Sequence, residues 1–228
     1  MDTPEIIFED NHVIVAVKPA GVLSQSDGSG APDMLTLLKA YIKVKYSKPG
    51  DVYLGLLHRL DRPVSGLMVF AKTSKCASRI SAQIRDHKMN KHYRLVVEGS
   101  FKEPSGRLKH YALKDPKTNN TTIFDEGRAP RDAKPVELLY NVIDTKNYKG
   151  REVSLLEVDL LTGRSHQIRT QLRHIGHPLL GDARYGTGLY KGDIALESCL
   201  LGFAHPISGE YTEFTLPLRD EMPWALFR

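Results

Sequence analysis

The order of hydrophobic and polar residues along the chain predicts more strands than helices. Short β-rich runs at 5–8 and 13–17 flank a polar turn and predict two strands. Residues 66–71 are continuously apolar, which predicts a strand buried on both faces, and the alternation over 152–161 predicts another strand. Further strands are predicted at 93–97, 121–124, 135–143, 200–204 and 211–216.

Three segments place apolar residues at helical spacing, each behind a residue that can cap a helix. The first helix is predicted to begin after Asp33, the second after Ser74 and the third after Ser165. Gly176 stands where the third helix should end, because glycine tolerates the left-handed conformation that closes many helices. We therefore predict an α+β fold with a large, mixed, mainly antiparallel sheet flanked by helices and loops. No repeat or convincing linker interrupts residues 1–228, which predicts a single domain.

Composition places the chain among globular proteins. It has 228 residues, of which 41% are hydrophobic and 26% charged, and this argues against a disordered or fibrous chain. No apolar run approaches the ~20 residues of a membrane span, so no membrane partner is expected. The acidic start lacks the character of a signal peptide. Two cysteines, Cys76 and Cys199, cannot form a disulfide framework or a zinc site by themselves, and the cytoplasm is the predicted compartment.

Positive charge is concentrated in two segments. The chain has 32 Lys and Arg against 27 Asp and Glu, a net charge of +5. Residues 72–94 contain seven basic residues and one acidic residue, and residues 162–184 contain four and one. If the two segments fold onto one face, they form a positive surface suited to a polyanion. Two solvated helix faces are the competing interpretation.

A compact group of chemically active residues directly precedes the predicted buried strand. The sequence His-Arg-Leu-Asp-Arg-Pro-Val-Ser-Gly occupies 58–66, and its proline and glycine bend and partly fix the backbone. This places Asp61 at the mouth of a rigid element, which suits a functional side chain. From the residues alone, a local cap or salt bridge made by Asp61 is the competing interpretation.

The chain resembles the RluA-like pseudouridine synthases in four ordered motifs. The second motif contains His-Arg-Leu-Asp and Ser-Gly-Leu, and the fourth contains Thr-Gly-Arg-Ser-His-Gln-Ile-Arg. The resemblance implies a pseudouridine synthase-like fold and isomerisation of uridine to pseudouridine in RNA. The motifs, with a shorter match at 205–210, occupy 15–21, 58–71, 91–99 and 162–182.

The resemblance implies a role for four side chains. Asp61 matches the catalytic aspartate, and Tyr93 matches the active-site tyrosine that packs on the base. Arg169 matches the basic residue that pairs with the catalytic carboxylate. Arg59 matches the arginine that helps to displace the target base from its stack. The chain departs from the family at residues 63–64, where Pro-Val replaces the common acidic residue and Thr.

The implied reaction needs no outside group, so no cofactor is expected. It breaks the N1–C1′ bond, turns the uracil and joins C5 to C1′ without net redox change. A carboxylate suits this reaction, since it can form a covalent adduct or assist departure of the base. A neighbouring arginine keeps such a carboxylate ionised. Attack at C1′, attack at C6 and a glycal route stay open.

The expected partner is RNA. The first motif begins by about residue 13, which leaves no room for the N-terminal S4 domain that many relatives carry. The catalytic domain is therefore expected to bind a compact stem-loop of tRNA or rRNA by itself, as a monomer without an obligate protein partner. The predicted RNA contacts are Arg59, Arg62, Arg79, Arg85, Lys88, Lys91, Arg164 and His166.

Other functions fit the sequence less well. An RNA-binding or RNA-remodelling module of the same fold that has lost catalysis is the main alternative, but the intact residues at 61, 93 and 169 argue against it. For an aspartate-nucleophile hydrolase, the chain lacks the metal-binding carboxylates that such enzymes usually need. His174 and His177 lie three residues apart without a partner that completes a recognisable ligand set, so no metal is expected.

Overall fold

The computed structural model describes residues 3–228. These residues form two compact units. The first unit comprises residues up to 91 together with 197–216, and the second comprises 92–196 together with 217–228. That the chain forms a single domain stays a prediction. No helix in the described part of the chain is long and apolar enough to cross a membrane.

Eleven strands and three α-helices occupy the described residues, which confirms the predicted α+β class. The strands are β1 (Ile6–Glu9), β2 (Val13–Lys18), β3 (Gly55–Leu56), β4 (Ser65–Ala71), β5 (Asn90–Glu98), β6 (Ser105–Lys114), β7 (Thr121–Phe124), β8 (Lys134–Tyr148), β9 (Arg151–Leu160), β10 (Leu196–Ala204) and β11 (Tyr211–Thr215). The helices are α1 (Met34–Lys45), α2 (Ser74–Arg85) and α3 (Gln167–His174), and a short 3₁₀ helix covers Trp224–Phe227.

The sheet of the first unit is built around β4. Strand β2 pairs antiparallel with β4, and β3 does so over two residues. Strand β10 pairs parallel with β4, while β1 extends β2 and β11 extends β10 in antiparallel register. All seven residues of β4 are buried, as its apolar sequence predicts. Leu67 and Val69 of β4 share a buried core with Ile80 of α2 and Phe203 of β10.

The strands of the second unit follow the order β5, β9, β8, β6, β7, and every neighbouring pair is antiparallel. Strand β8 carries a register shift between Val142 and Asp144. One apolar core of this unit includes Val96 of β5, Leu155 of β9 and Trp224 of the 3₁₀ helix. Helix α3 packs against β6 and β7.

The predicted cap of α1 is confirmed, and the predicted cap of α2 is wrong by one residue. The carboxylate of Asp33 accepts a hydrogen bond of 3.0 Å from the backbone N–H of Thr36. Thr73, rather than Ser74, is the N-cap of α2, where its hydroxyl accepts from the N–H of Cys76 at 3.2 Å. Two neighbouring hydroxyl residues can each cap a helix, and the backbone decides which one lies in the extended conformation.

The predicted cap of α3, Ser165, is also wrong. His166 occupies the N-cap position with φ 55° and makes no side-chain cap hydrogen bond. The side chain of Gln167 instead accepts from the N–H of Arg164 at 3.1 Å, which orders the turn before the helix. The predicted helix end is confirmed, because Gly176 follows the C-cap residue with φ +89°.

The sequence pattern does not predict β6 over most of its length. The strand reads Ser-Gly-Arg-Leu-Lys-His-Tyr-Ala-Leu-Lys and carries charged and polar residues on exposed and half-buried positions. Periodicity detects strands with one clearly apolar face. Strand β6 gains its hydrogen bonds from both β7 and β8, which lie elsewhere in the sequence.

Gly66 is expected to be essential for the first unit to fold. Its φ is +120°, and an added Cβ would lie 2.4 Å from the backbone oxygen of Ser198 in β10. We expect Gly66→Ala to lower the free energy of unfolding by about 3 kcal/mol or more, measured by urea denaturation. Gly50→Ala is the matched control, because an added Cβ there meets nothing within 4 Å. Equal stability of the two variants would show that β4 and β10 can separate at no cost.

Candidate active site

Asp61 lies in a tight turn just before the buried strand β4. The N–H of Val64 donates to the backbone oxygen of Asp61 at 3.0 Å, which closes the turn. Asp61 itself is half-buried, while Arg59 and Arg62 on either side are exposed. The residue is thus neither sealed in the interior nor fully exposed, which suits a group that must meet a substrate.

A buried lysine, to which the sequence pattern assigns no role, anchors this turn. Lys18, the last residue of β2, has no exposed surface. Its ammonium donates to the backbone oxygens of Pro19 at 3.0 Å, Val22 at 2.6 Å and Arg62 at 3.0 Å. An ammonium has three protons to donate, so these carbonyls satisfy it fully. The first and second family-like motifs therefore meet at one side chain.

Further hydrogen bonds tie the same two loops together. Gly21 donates its N–H to the oxygen of Arg62 at 2.9 Å, and the Nε of Arg62 donates to the oxygen of Gly21 at 3.0 Å. The hydroxyl of Ser24 donates to the oxygen of Leu60 and accepts from its N–H, at 2.8 and 3.0 Å. The backbone on both sides of Asp61 is thus held.

The surroundings of Lys18 shift its pKa in opposite directions. Burial lowers its pKa, the carboxylate of Asp61 raises it, and the guanidinium of Arg62 lowers it, so that the pKa falls from 10.5 to about 8. Near neutral pH the ammonium therefore keeps most of its charge. That charge and the Asp61 carboxylate attract each other across the turn.

His58 acts as a neutral acceptor in this region. Its Nε2 accepts a hydrogen bond of 3.2 Å from the N–H of Val69 in β4. Burial, together with the charge of Lys91, lowers the pKa of His58 to about 3. The ring thus stays neutral near pH 7 and fixes the backbone of β4.

In the second unit, Tyr93 and Arg169 are both buried. Tyr93 lies on β5 opposite Val158 of β9 and is 7% exposed, and Arg169 lies on α3 and is 5% exposed. A strand within a sheet and a packed helix hold side chains more precisely than a loop does. The conformations of both side chains are therefore restricted by the elements that carry them.

Arg169 makes a two-point ion pair that the sequence pattern does not reveal. Its Nε and Nη2 donate to the two carboxylate oxygens of Asp182, each at 2.7 Å. Asp182 also accepts from the N–H groups of Arg184 and Tyr185 at 3.0 Å. Burial raises the pKa of Asp182, but these donors outweigh it and hold the pKa below its usual value. That Arg169 also serves the catalytic carboxylate stays a prediction.

Tyr185 connects Arg169 to His166. The centre of the Arg169 guanidinium lies 5.0 Å from the centroid of the Tyr185 ring. The phenol oxygen accepts from the N–H of Thr121 at 3.0 Å and lies 2.8 Å from Nδ1 of His166. The tautomer of His166 sets which of these two groups donates in their contact. His166, a predicted RNA contact, is therefore positioned by a buried tyrosine.

Two glutamine side chains fix the orientation of α3. Gln167 accepts from the N–H of Arg164 at 3.1 Å and donates to the backbone oxygen of Glu137 at 3.1 Å, so backbone groups set which way its amide points. It also donates to the oxygen of Gln171 at 3.0 Å. The nitrogen of Gln171 consequently faces Nδ1 of His110 at 3.1 Å.

His110, Asp125 and His174 form the one group in residues 3–228 whose atoms could hold a metal ion. One ligand atom from each lies within 4.8 Å of the others, and two imidazoles with a carboxylate are a common zinc set. The Gln171 amide, however, donates to Nδ1 of His110, so the ring proton resides on Nε2 and opposes coordination there. His174 instead pairs with Asp125 at 2.9 Å. The absence of a resident metal stays a prediction.

The predicted RNA contacts are mostly exposed. Arg79 donates to the backbone oxygen of Pro206, and the Nε of Arg85 lies 3.3 Å from the carboxylate of Asp86. Lys91 and His166 are half-buried. The exposed members of the set are Arg59, Arg62, Arg79, Arg85, Lys88 and Arg164.

Comparison with known proteins gives consistent matches. Residues 12–174 match a family model described as RNA pseudouridylate synthase. The chain is 32% identical to the ribosomal large subunit pseudouridine synthase D of Zymomonas mobilis, covering 96% of this chain and 70% of that protein. It is 28% identical to the ribosomal large subunit pseudouridine synthase C of Vibrio parahaemolyticus, covering 97% and 68%.

Two solved human structures share the fold. They are RNA pseudouridylate synthase domain containing 4, with a TM-score of 0.77 and 19% identity, and domain containing 1, with 0.75 and 21%. The matches cover 94% and 95% of this chain, and 88% and 85% of those chains. The predicted fold is confirmed.

Removal of the Lys18 ammonium is expected to destabilise the turn that carries Asp61. Lys18→Met removes the donor of three backbone oxygens from a fully buried position, and the Arg62 oxygen then keeps only the N–H of Gly21. We expect this change to lower the free energy of unfolding at pH 7 by about 3 kcal/mol. Lys75→Met is the control, because that side chain is exposed on α2, and it should leave stability nearly unchanged. Urea denaturation of both variants measures the difference.

Comparison of the wild type with Lys18→Met also tests the lowered pKa of Lys18. Between the folded pKa of about 8 and the unfolded value near 10.5, the unfolded chain binds more protons at residue 18. The stability of the wild type relative to Lys18→Met should therefore rise as the pH increases through this interval. A difference that is flat or falls over this range contradicts the assignment.

Proposed function

Because this chain belongs to the RNA pseudouridylate synthase family, it is an isomerase that acts on RNA, and we propose that Asp61 is its catalytic residue and ribosomal RNA its substrate. The family match over residues 12–174 carries the proposal, since it contains the whole anchored turn around Asp61. Two relatives named for the ribosomal large subunit support the choice of substrate. Transfer RNA, which the sequence leaves open, is the competing substrate.

The surroundings of Asp61 suit a carboxylate that must react while ionised. Isomerisation of uridine requires the base to leave C1′ and return through C5, and a carboxylate can form an adduct or assist departure. Lys18 supplies a positive charge near the turn, and the hydrogen bonds of Ser24 and Arg62 hold the backbone. A group held this way reacts with little loss of conformational freedom.

Tyr93 and Arg169 are proposed to complete the catalytic set. Tyr93 offers an aromatic face to the base and a hydroxyl that can mediate proton transfer at C5. Arg169 is proposed to stabilise the ionised form of the catalytic carboxylate. The burial of both side chains and the ion pair of Arg169 with Asp182 support these roles, because a preorganised site needs rigid side chains.

RNA binding is proposed to rest on exposed cations. The target uridine must leave its stack, which costs a few kcal/mol, and Arg59 beside Asp61 offers a guanidinium to fill the vacated space. Arg85 and Lys88 at the end of α2 are exposed and suited to phosphates.

Action as a monomer in the cytoplasm without a protein partner also stays part of the proposal. Cys76 and Cys199 are both free thiols, which is compatible with a reducing compartment.

The role of Asp61 is tested by release of tritium from rRNA labelled at uridine C5. We expect Asp61→Asn to lower the rate by about a thousandfold or more, because the amide cannot act as a nucleophile or as an anionic stabiliser. Asp27→Asn, at an exposed position of the same unit, should react like wild type.

The outcomes separate the alternatives. Equal release by Asp61→Asn and wild type would exclude the catalytic assignment. A wild type that binds RNA but forms no pseudouridine on total RNA would favour the inactive RNA-binding module. Pseudouridine mapping on cellular RNA with and without the protein distinguishes rRNA from tRNA.

The cations of the α2 region are tested through the salt dependence of binding. Arg85→Gln combined with Lys88→Gln should weaken RNA binding and reduce the slope of log Kd against log salt by about 1 for each phosphate that is no longer neutralised. Lys117→Gln, exposed in the second unit, is the control. An unchanged slope would show that neither Arg85 nor Lys88 binds phosphate.

A further inference from the structure

The first unit contains a cavity of about 410 Å³ that the chemistry of Asp61 does not use. Its wall is formed by the end of α1, the loop that follows it and the residues just before α2. Tyr46 and Tyr53 contribute aromatic rings, and Lys48, Asp51 and Asn11 contribute polar groups. The volume falls in the range of about 300–1,000 Å³ that is usual for pockets holding small ligands.

The two tyrosines that line the cavity present part of their aromatic surface to solvent. Tyr46 is 43% exposed and Tyr53 is 50% exposed. Large aromatic side chains gain from burial, so two such rings in one open cavity represent surface that a flat ligand can cover. This is the arrangement by which proteins stack unpaired bases.

One carboxylate holds part of this cavity in place. Glu9 accepts from the phenol of Tyr46 at 2.8 Å and from the ammonium of Lys72 at 2.8 Å. That ammonium also lies 4.6 Å from the centroid of the Tyr46 ring. Burial raises the pKa of Glu9, but hydrogen bonds from Lys45, Lys72 and two tyrosines lower it to about 2. The carboxylate of Glu9 therefore stays ionised, and it holds the ring of Tyr46 in place before any ligand binds.

The remaining polar groups match the other parts of a nucleotide. Lys48 is exposed and offers an ammonium for a phosphate. Asn11 offers an amide donor and acceptor, and Asp51 offers an acceptor for the N–H groups of a base edge. A ligand with a flat ring, a polar edge and one anionic group satisfies all of these side chains.

We propose that this cavity binds a single unpaired nucleotide of the RNA substrate, with its base against Tyr53 and its phosphate near Lys48. The proposal rests on the proposed function only for the identity of the ligand as RNA. The pairing of β2 with β4 places the cavity at the end of these strands opposite to Lys18 and Gly66, so the subsite would bind a nucleotide away from the target uridine and take no part in the chemistry. Removal of its stacking ring should therefore raise KM for RNA and leave kcat nearly unchanged.

Binding of fluorescein-labelled pentauridylate, followed by anisotropy, tests the site directly. We expect Tyr53→Ala to weaken binding about tenfold, as removal of a stacking platform does. Tyr53→Phe, which keeps the ring, should bind within about twofold of wild type. Tyr211→Ala is the matched control, because that tyrosine is 54% exposed in the same unit and does not line the cavity. Equal binding by Tyr53→Ala and wild type overturns the proposal.

Photocrosslinking locates the ligand on the unaltered protein and does not depend on the folding of any variant. A pentamer that carries 5-iodouridine should attach to Tyr46 or Tyr53, mapped by mass spectrometry. Attachment confined to other residues overturns the proposal. Competition by uridine monophosphate as strong as that by the pentamer also overturns it, since the cavity would then be a mononucleotide site.

Failure of the proposed function is distinguishable from failure of this inference. The Asp27→Asn protein should bind pentauridylate as wild type does, because Asp27 is exposed, does not line the cavity and has no proposed part in the chemistry. Dependence of binding on Tyr53 in a protein that forms no pseudouridine would leave the subsite standing while the catalytic proposal fails. Normal catalysis with no dependence on Tyr53 would do the reverse.

Discussion

The hydrogen bonds of one buried ammonium hold together the part of the molecule on which catalysis is proposed to depend. Lys18 is fully buried and donates to three backbone oxygens, one of which belongs to Arg62 beside Asp61. Burial of a charge is costly unless it is fully hydrogen-bonded, so the loops must keep this arrangement for the unit to remain stable. The same charge attracts the Asp61 carboxylate. A single side chain thus supports the fold and sets the electrostatic surroundings of the candidate catalytic residue.

The second unit also contains a buried charge that is held by hydrogen bonds. Arg169 donates two hydrogen bonds of 2.7 Å to Asp182, and backbone N–H groups donate to the same carboxylate. The amide of Gln167, fixed by backbone groups at both ends, sets the orientation of the helix that carries Arg169. Buried polar networks of this kind are stable only when every member is satisfied, and a satisfied network is rigid. Rigid side chains suit a reaction that depends on positioning.

With the nucleotide subsite, three regions of the molecule are proposed to have separate roles. The Asp61 turn is proposed to perform the chemistry, exposed cations such as Arg85 and Lys88 are proposed to bind phosphates, and the cavity beside Tyr53 is proposed to bind one unpaired base. Phosphate contacts supply affinity that is independent of sequence, whereas a stacking pocket selects unpaired nucleotides. An RNA with an unpaired target and a second unpaired nucleotide would satisfy all three regions. This gives a physical reason for preferring a loop over a duplex.

The sequence by itself determined the class of fold and the position of the candidate catalytic carboxylate. Apolar runs and alternation are local properties, so β4 and the turn before it were predictable, as was the Asp33 cap. Only the tertiary structure decided which side chains and strands are hydrogen-bonded to each other. Lys18 and Arg62 lie 44 positions apart, and strand β6, with little apolar contrast, is defined by its neighbours. A hydrogen bond depends on distance in space, and a buried polar group accepts whichever partner the packing of the chain brings within reach.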